Sequence, residues 1–365
     1  MTAQGDISKA HPSATPYRPL IGITMGDPGG VGADLVVRAL ADSELRHQGR
    51  FIVFGLDEAL AYAADQAEVV PFWFRRPHET VGRVESGVVV ADFDEYDLFP
   101  TPVRQPTRQG GEASIRFLDE AVARARAGQL DAVLTLPTWS ESWRLAGVRF
   151  RTSLDKLADA LGTRRVRRML VGGSLRVVLA SDLEPLFGLW QRFGIGTVFQ
   201  PIDLLHEALR TYFGIDHPKI AVCRLNPPAI HDRHFGDEEH RIIEPAILMA
   251  REAGIRVEGP LPASEVFSRY DGKTYDGAVA MYHDQGAVPV RMTSPDTVVA
   301  VTLGLPVVHI EPQVEPPFQS PGPDRPVAEP LKAAIRLAIE MIRTRVAAPL
   351  PTAASETASS TSDPR

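Results

Sequence analysis

The segment with the clearest chemical character is His283-Asp284-Gln285-Gly286, which follows the apolar run 277–282. An imidazole can shuttle a proton or bind a metal, an adjacent carboxylate can orient it, and a glycine lets the chain turn sharply. The alternative interpretation is a capped strand end whose histidine and aspartate are merely solvated. The functional interpretation makes His283 and Asp284 the candidate catalytic residues.

A second candidate is the glycine-rich segment 25–32, which reads MGDPGGVG and joins an apolar run to a helical pattern. Backbone N–H groups in such a turn before a helix can hold an anion. The spacing matches neither of the two common nucleotide-binding fingerprints. A tight turn that needs a positive φ explains the glycines equally well. Asp27 is the charged side chain that could contact a substrate.

Two further strand ends carry polar side chains. Ser140 follows the apolar run 132–135, and Asn226 begins a loop that also contains His231, Asp232 and His234. Histidine and aspartate are metal ligands and acid–base groups, so the second loop is a candidate site. The competing interpretations are an ordinary strand end for the first segment and solvent-exposed histidines for the second.

Short apolar runs alternate with helix-period stretches along the chain, which indicates an open α/β architecture. Because most runs are continuously apolar, they favour a parallel sheet covered on both faces. The predicted strands are Leu20–Thr24, Phe51–Phe54, Val88–Ala91, Ala132–Thr135, Met169–Val171, Val177–Ala180, Ile220–Cys223, Gly277–Tyr282 and Val298–Thr302. The predicted helices are Gly32–Ala41, Ile115–Ala127, Ser153–Leu161, Pro201–Tyr212, Glu238–Ala253 and Val327–Arg343. In such sheets, ligands bind at loops that follow the carboxyl ends of strands.

Composition excludes several classes of protein. The 365 residues carry a formal charge of −7, which argues against a nucleic-acid groove. A single cysteine, Cys223, excludes a disulfide framework and favours a reducing compartment. Neither a membrane-spanning run nor a secretory leader is evident, so we expect a cytoplasmic protein without membrane partners.

Five motifs in this order resemble those of the 4-hydroxythreonine-4-phosphate dehydrogenase (PdxA) family: Met25–Gly32, Leu225–Pro227, Gly259–Ala263, Ala280–Gly286 and Thr302–Pro306. The resemblance implies two α/β/α domains with mainly parallel sheets and an active site in the cleft between them, as in isocitrate and isopropylmalate dehydrogenases. It also implies a homodimer in which both subunits build each site. Family members use NAD and a divalent metal to oxidise a secondary alcohol beside a carboxylate, and the resulting β-keto acid loses CO2.

On this basis we expect a first domain of residues 18–131 plus 325–346 and a second domain of residues 132–324. The Ser-, Ala- and Pro-rich segments 1–17 and 347–365 are predicted to be disordered, because they cannot bury enough apolar surface to offset ordering entropy.

The chain departs from the family at the metal ligands. Of three family histidines, one is retained as His283, whereas Ser153 and Pro228 stand at the other two positions. A lone imidazole does not hold a catalytic metal tightly, so a bound divalent metal is in question. Side chains that could replace the lost ligands follow Pro228 closely: His231, Asp232 and His234.

Positions that contact the substrate in the family differ as well. A lysine is replaced by Arg291, an asparagine by Ala300 and an arginine by His309, while Ser140 lies in the altered second strand-end motif. A proline-rich stretch, 311–323, replaces a loop that resembles a dinucleotide-contacting loop, which places NAD binding in question.

These observations predict a PdxA-like oxidoreductase for a small hydroxy acid other than the vitamin B6 pathway substrate, using NAD, with or without decarboxylation. His283 and Asp284 would be catalytic, and Asp27, Arg291, Asn226 and Ser140 would bind substrate. Two alternatives stay open: a metal-independent lyase or isomerase that reuses the cleft, and a non-catalytic binding homologue.

Overall fold

A computed structural model describes residues 16–96, 104–182, 184–227, 236–270, 274–314 and 328–347. Within these ranges, twelve strands form one sheet in the order β3-β4-β2-β1-β5-β12-β11-β6-β7-β10-β8-β9. Their bounds are β1 Leu20–Thr24, β2 Arg50–Gly55, β3 Trp73–Pro77, β4 Val88–Asp92, β5 Ala132–Thr135, β6 Arg167–Gly172, β7 Leu175–Leu179, β8 Lys219–Cys223, β9 Arg256–Leu261, β10 Gly277–Ala280, β11 Val299–Leu303 and β12 Val308–Pro312.

Eleven α-helices in the described ranges cover this sheet. They are α1 Gly32–Leu40, α2 Ser43–Gln48, α3 Asp57–Gln66, α4 Arg108–Arg126, α5 Ser140–Leu145, α6 Ser153–Ala160, α7 Ile195–Phe213, α8 Glu244–Glu252, α9 Ala263–Ser268, α10 His283–Thr293 and α11 Glu329–Ala347. A π-helical turn, Glu239–Ile243, leads into α8, and 3₁₀ turns span His78–Thr80 and Leu186–Gln191. None of the helices within these ranges has the combined length and apolar character needed to cross a membrane.

The mainly parallel α/β fold is confirmed. Strand β1 lies parallel to β2 on one side and to β5 on the other, and all five of its residues are buried. Strand β10 is likewise parallel to both β7 and β8. Continuous apolar runs suit such strands because helices cover both faces of the sheet.

Three antiparallel pairings at the centre of the sheet were not predicted. Strand β11 is antiparallel to both β12 and β6, and β6 is antiparallel to β7. Short links explain two of them, because only antiparallel neighbours can be joined by a tight hairpin. The link between β6 and β7 is Gly173-Ser174, and the link between β11 and β12 spans residues 304–307. One continuous ladder of backbone hydrogen bonds therefore joins the two halves of the chain. The domain boundaries expected near residues 131 and 324 stay predictions.

All nine predicted strands exist, with ends that differ from the prediction by at most two residues. Three strands were missed, and two of them, β3 and β9, are the edges of the sheet. Strand β3 reads WFRRP and is mostly exposed, while β9 contains Gly259 and Pro260. Edge strands tolerate charge and proline because one side of their backbone is unpaired, so they lack the apolar signature.

Helix α4 begins seven residues before the predicted start, Ile115. Its first turn is capped by Thr107, whose hydroxyl accepts a hydrogen bond from the N–H of Gly110 at 2.9 Å. At Gly111, a Cβ would lie 2.1 Å from the carbonyl oxygen of Ser142. The glycines that obscured the helical pattern therefore allow α5 to pack closely against α4.

The C-terminal helix α11 packs against α1, α7 and β12, and its buried face is apolar. The predicted disordered termini lie outside the described residues, except for residues 16, 17 and 347. Tyr17 donates its hydroxyl hydrogen to Asp131 at 3.0 Å, and Asp131 also accepts from the N–H of Leu20 at 2.7 Å. These contacts hold the start of β1 in register.

Candidate functional site

His283 occupies the first position of α10, three residues after Ala280, the last residue of strand β10. Its side chain is 48% exposed, and its Nδ1 lies 2.8 Å from Oδ1 of Asp284, which is 80% exposed. The segment predicted as a strand-end loop is therefore the first turn of a helix. An exposed imidazole beside a carboxylate can take up and release a proton, as the prediction for His283 requires.

Gln285 and Gly286 hold this turn in place, a role that the sequence did not reveal. Gln285 accepts a hydrogen bond from the N–H of Met281 at 2.7 Å and donates one to the carbonyl of Arg224 at 2.7 Å. It thereby ties the end of β10 to the end of β8. A Cβ at Gly286 would lie 2.7 Å from the Leu179 side chain, so glycine permits α10 to start close to the sheet.

Asn226 lies just beyond β8, and its amide is oriented by two carboxylates. Its Nδ2 donates to Glu238 at 2.8 Å and to Glu239 at 3.0 Å. Glu239 is buried and also accepts from the backbone N–H groups of Leu225 at 2.9 Å and Asn226 at 2.7 Å. Burial acts to raise the pKa of Glu239, but these hydrogen bonds outweigh it and the pKa is lowered. Glu239 is thus a positioning residue that sequence reasoning missed.

Asp27 lies after β1 and is only 1% exposed. Its Oδ1 accepts from the N–H of Gly29 at 2.9 Å, while Oδ2 is buried and has no hydrogen-bond partner among the described residues. Burial raises the pKa of Asp27, and the proximity of the Ser142 hydroxyl and the hydrogen bond from Gly29 oppose that rise. Through its hydrogen bond with Gly29, the Asp27 carboxyl stabilises the conformation of the glycine-rich turn. Its contact with a substrate stays a prediction.

The remaining predicted substrate contacts lie on two helices. Ser140 is exposed at the first position of α5, and Arg291 is half-buried in the last turn of α10. No described hydrogen bond or ion pair joins Asp27, Asn226 and His283 to one another, since each has its own local partners. The structure places these candidates at separate strand ends.

A buried hydrogen-bonded chain crosses the centre of the sheet and begins at His309 on β12. His309 is fully buried, and its two ring nitrogens lie 3.0 Å from Oγ1 of Thr135 and 2.8 Å from Oγ1 of Thr302. Burial lowers the pKa of His309 to about 4, and the charge of Arg168 contributes to the decrease. The imidazole is therefore neutral at neutral pH and both of its nitrogens are occupied.

The chain continues from Thr135 to Glu311, whose Oε1 lies 3.2 Å away and also accepts a hydrogen bond from the Ser153 hydroxyl. The other carboxylate oxygen of Glu311 lies 3.5 Å from Arg168, and Arg168 pairs with Asp182 at 2.8 Å. Burial acts to raise the pKa of Glu311, but the Arg168 charge and the hydrogen bonds outweigh it and lower the pKa. We call Thr302, His309, Thr135, Glu311, Ser153, Arg168 and Asp182 the buried polar chain.

The residues at the expected metal position do not suit a divalent ion. The Ser153 hydroxyl is occupied by Glu311, and the other oxygen of the Glu311 carboxylate already faces the Arg168 guanidinium at 3.5 Å. Among the described residues, no three His, Cys, Asp or Glu side chains lie close enough to hold a metal. Pro228 and the possible substitute ligands fall outside the described residues: His231, Asp232 and His234. Cys223 is buried, which raises the pKa of its thiol to about 12 and disfavours the thiolate that binds metals.

The chain is similar to a known family and to characterised proteins over most of its length. The profile of the family described as "Pyridoxal phosphate biosynthetic protein PdxA" matches residues 47–338. A 4-hydroxythreonine-4-phosphate dehydrogenase from Geobacter metallireducens is 36% identical over 332 residues, which are 90% of this chain and 97% of the relative. A D-threonate 4-phosphate dehydrogenase from Cupriavidus necator is 36% identical over 300 residues, 80% of this chain and 88% of the relative.

Solved structures show the same similarity. The crystal structure of a 4-hydroxythreonine-4-phosphate dehydrogenase from Burkholderia phymatum superposes with a TM-score of 0.74 at 31% identity, covering 89% of this chain and 98% of that chain. The similarity therefore extends over nearly the whole length of both proteins.

Proposed function

The chain belongs to the PdxA family of dehydrogenases, and from that premise we propose that it oxidises the secondary alcohol of a small hydroxy acid, with NAD as the acceptor. The observation that carries the proposal is the retained His283 segment, which presents an exposed imidazole at the start of α10. In this proposal the chain acts as a homodimer, and the oxidation proceeds with or without loss of CO2 from the keto acid.

His283 would accept the hydroxyl proton, and its contact with Asp284 would stabilise the imidazolium that forms. Bound NAD would supply the acceptor for the hydride on the carbon that carries this hydroxyl. Arg291 would hold the substrate carboxylate, since a guanidinium binds carboxylates in a bidentate fashion. Asn226, Asp27 and Ser140 would complete the substrate contacts. The stretch 311–323 that replaces the expected dinucleotide loop is described only as far as residue 314.

The substrate would differ from that of the vitamin B6 pathway. His309 stands where the family has an arginine, and it is buried, neutral and bonded to Thr135 and Thr302. It cannot supply a positive charge to a phosphate from that position. Ala300, at the position of a family asparagine, is also buried and offers no polar atom.

The test is a turnover assay of the full-length protein with NAD and with NADP over a panel of hydroxy acids, with and without a phosphate group. We expect NADH formation with a hydroxy acid other than 4-hydroxythreonine 4-phosphate, and its loss in His283→Asn. Exposed His47 lies outside the candidate site, so His47→Asn is the matched control and retains turnover. Absence of reduced cofactor with every substrate, together with no NAD or NADP binding in calorimetry, would refute the proposal.

The buried polar chain favours one alternative, a metal-independent lyase or isomerase that uses His283 as a proton shuttle. Its support is the Ser153–Glu311 contact, because Ser153 is the residue predicted to stand at the position of a metal ligand. Product formation from a hydroxy acid without any change in NAD would identify this activity. Ligand binding without any turnover would instead identify a non-catalytic homologue.

A further inference from the structure

Gln285 joins the ends of two neighbouring strands. Strands β8 and β10 are parallel, and Val222 lies opposite Val279 in their register. Two residues further along, Arg224 and Met281 stand level with each other, where the pairing of the two strands has ended. Gln285 accepts a hydrogen bond from the N–H of Met281 at 2.7 Å and donates one to the carbonyl of Arg224 at 2.7 Å. We call these two hydrogen bonds the Gln285 bridge.

Each end of the Gln285 bridge lies two residues before a candidate site residue. His283 follows Met281 at that spacing, and Asn226 follows Arg224. An amide group suits this place, because it offers an acceptor oxygen to the N–H and donor hydrogens to the carbonyl. A carboxylate could only accept, and an apolar side chain could do neither. The side chain at position 285 therefore links the candidate proton acceptor to a candidate substrate contact.

The Asn226 side of the Gln285 bridge has anchors of its own. Glu239 accepts hydrogen bonds from the backbone N–H of Asn226 at 2.7 Å and from its side-chain amide at 3.0 Å. The N–H of Arg224 donates to the carbonyl of Leu261 on β9 at 2.8 Å. These contacts do not involve Gln285, so Asn226 is expected to keep its place when Gln285 is replaced.

The His283 side has no such anchor toward β8. The carbonyl of Met281 accepts from the N–H of Ser181 at 3.2 Å, which ties this segment to the end of β7. The ring of His283 contacts Asp284, which is 80% exposed. Within the described ranges, no side-chain hydrogen bond or ion pair other than that of Gln285 joins residues 281–286 to residues 224–227. The position of His283 relative to Asn226 therefore depends on the Gln285 bridge.

We propose that Gln285 is a positioning residue that sets the separation between the His283 imidazole and the Asn226 amide. A substrate bound by Asn226 then presents its hydroxyl group within hydrogen-bond reach of the imidazole, as general-base catalysis requires. Because displacing a reacting group by about 1 Å can cost about 100-fold in rate, two hydrogen bonds at this point have a large effect on turnover. This inference rests on the proposed function, since it uses the roles proposed there for His283 and Asn226.

The test compares Gln285→Met, which has a side chain of similar length without either hydrogen-bonding group, with Gln66→Met. Gln66 is exposed at the last position of α3 and provides the matched control. Both proteins are isotope-labelled at the histidine rings, and the NMR signal of His283 is identified by its absence from the spectrum of His283→Asn. We expect this signal to move by more than its line width in Gln285→Met and to stay in place in Gln66→Met. The signal of the buried His309 should be unchanged in both, which reports an intact fold.

Turnover is measured on the same proteins with NAD and the best hydroxy acid of the panel. We expect kcat of Gln285→Met to fall at least tenfold and KM for the hydroxy acid to change less than threefold, because Asn226 keeps its contacts with Glu239 while His283 is displaced. Gln66→Met is expected to match the unmodified protein in both constants. If Gln285→Met fails to fold by circular dichroism, Gln285→Asn decides the outcome, since its side chain is one methylene shorter and is expected to lose at least one of the two hydrogen bonds.

A His283 signal that stays in place in Gln285→Met would overturn the proposal, and so would a displaced signal with kcat within twofold of the unmodified protein. If the unmodified protein oxidises none of the hydroxy acids, the proposed function has failed. The NMR comparison then decides the positioning role without turnover: a displaced His283 signal supports it, and an unmoved signal refutes it. The two failures are therefore distinguishable.

Discussion

Ser153, at the start of α6, donates its hydroxyl hydrogen bond to Glu311 on β12, a residue 158 positions later in the chain. The resemblance to the PdxA family predicts a metal-binding histidine at the position of this serine. One oxygen of the carboxylate that it contacts lies 3.5 Å from the guanidinium of Arg168. This position is therefore occupied by an internal polar contact of the protein itself.

Replacing Glu311 by Gln is expected to destabilise the fold by roughly 2 kcal/mol, because it removes the charge that the hydroxyls of Ser153 and Thr135 and the guanidinium of Arg168 contact, while Arg168 keeps Asp182 as a partner. Chemical denaturation measures this loss. In a double-mutant cycle, the double variant Glu311→Gln/Arg168→Met is expected to lose less free energy of unfolding than the two single variants lose when their losses are added. Glu141→Gln, which breaks an exposed pair with Arg144, is the control and should leave stability unchanged. Strict additivity of the first two would show that Glu311 and Arg168 do not interact.

His309 is expected to make stability depend on pH in a defined window. Its pKa is about 4 in the folded protein against an unperturbed value of 6.5, so the unfolded chain binds the proton more readily. The stabilising contribution is present above pH 6.5 and is lost as pH falls from 6.5 to 4, by roughly 3 kcal/mol in total. Denaturation of the wild type and of His309→Gln across this range should show that the free energy of unfolding of the wild type falls relative to that of the variant. Parallel profiles would contradict the assignment.

Glu239 is expected to be the residue that orders the Leu225-Asn226 segment. Glu239→Ala removes the acceptor of two backbone N–H groups and of the Asn226 amide, so stability should fall by roughly 2 kcal/mol. The neighbouring Glu238 accepts only from the Asn226 amide in this segment, so Glu238→Ala is the matched comparison. Equal denaturation midpoints for Glu239→Ala and Glu238→Ala would contradict the positioning role of Glu239.

Cys223 is expected to be unreactive in the folded protein. It is fully buried on β8 and the pKa of its thiol is raised to about 12 by burial, so little thiolate forms at neutral pH. A thiol-specific chromogenic reagent should react with one equivalent per chain only after denaturant is added. Prompt stoichiometric reaction of the native protein would show that the thiol is accessible.

The strands that are buried on both faces could be predicted from the sequence, because each is a continuous apolar run, such as Ala132–Thr135. Helix α10 was taken for a strand-end loop, since the polar residues of its first turn interrupt the apolar pattern. The buried polar chain could not be anticipated, because its partners are far apart in the sequence. Thr135 and His309, for example, are separated by 174 positions, and only the pairing of β5 with β12 brings them together.

The positions altered relative to the family were identifiable from the sequence, but the contacts that the new residues make were not. From the sequence, His309 could have been an exposed cation or a buried neutral group, and its complete burial on β12 decides for the latter. Arg168 carried no signal, as it lies in a run of arginines at the start of β6.

The account depends on dehydrogenase chemistry that uses His283 without the metal of the family. The most direct measurement is NADH formation with the best hydroxy acid of the panel, before and after exhaustive dialysis against a chelator, with elemental analysis of both samples. We predict equal rates, no stoichiometric divalent metal in either sample, and loss of activity in His283→Asn. Activity that disappears with the chelator and returns on addition of a divalent metal would contradict the account.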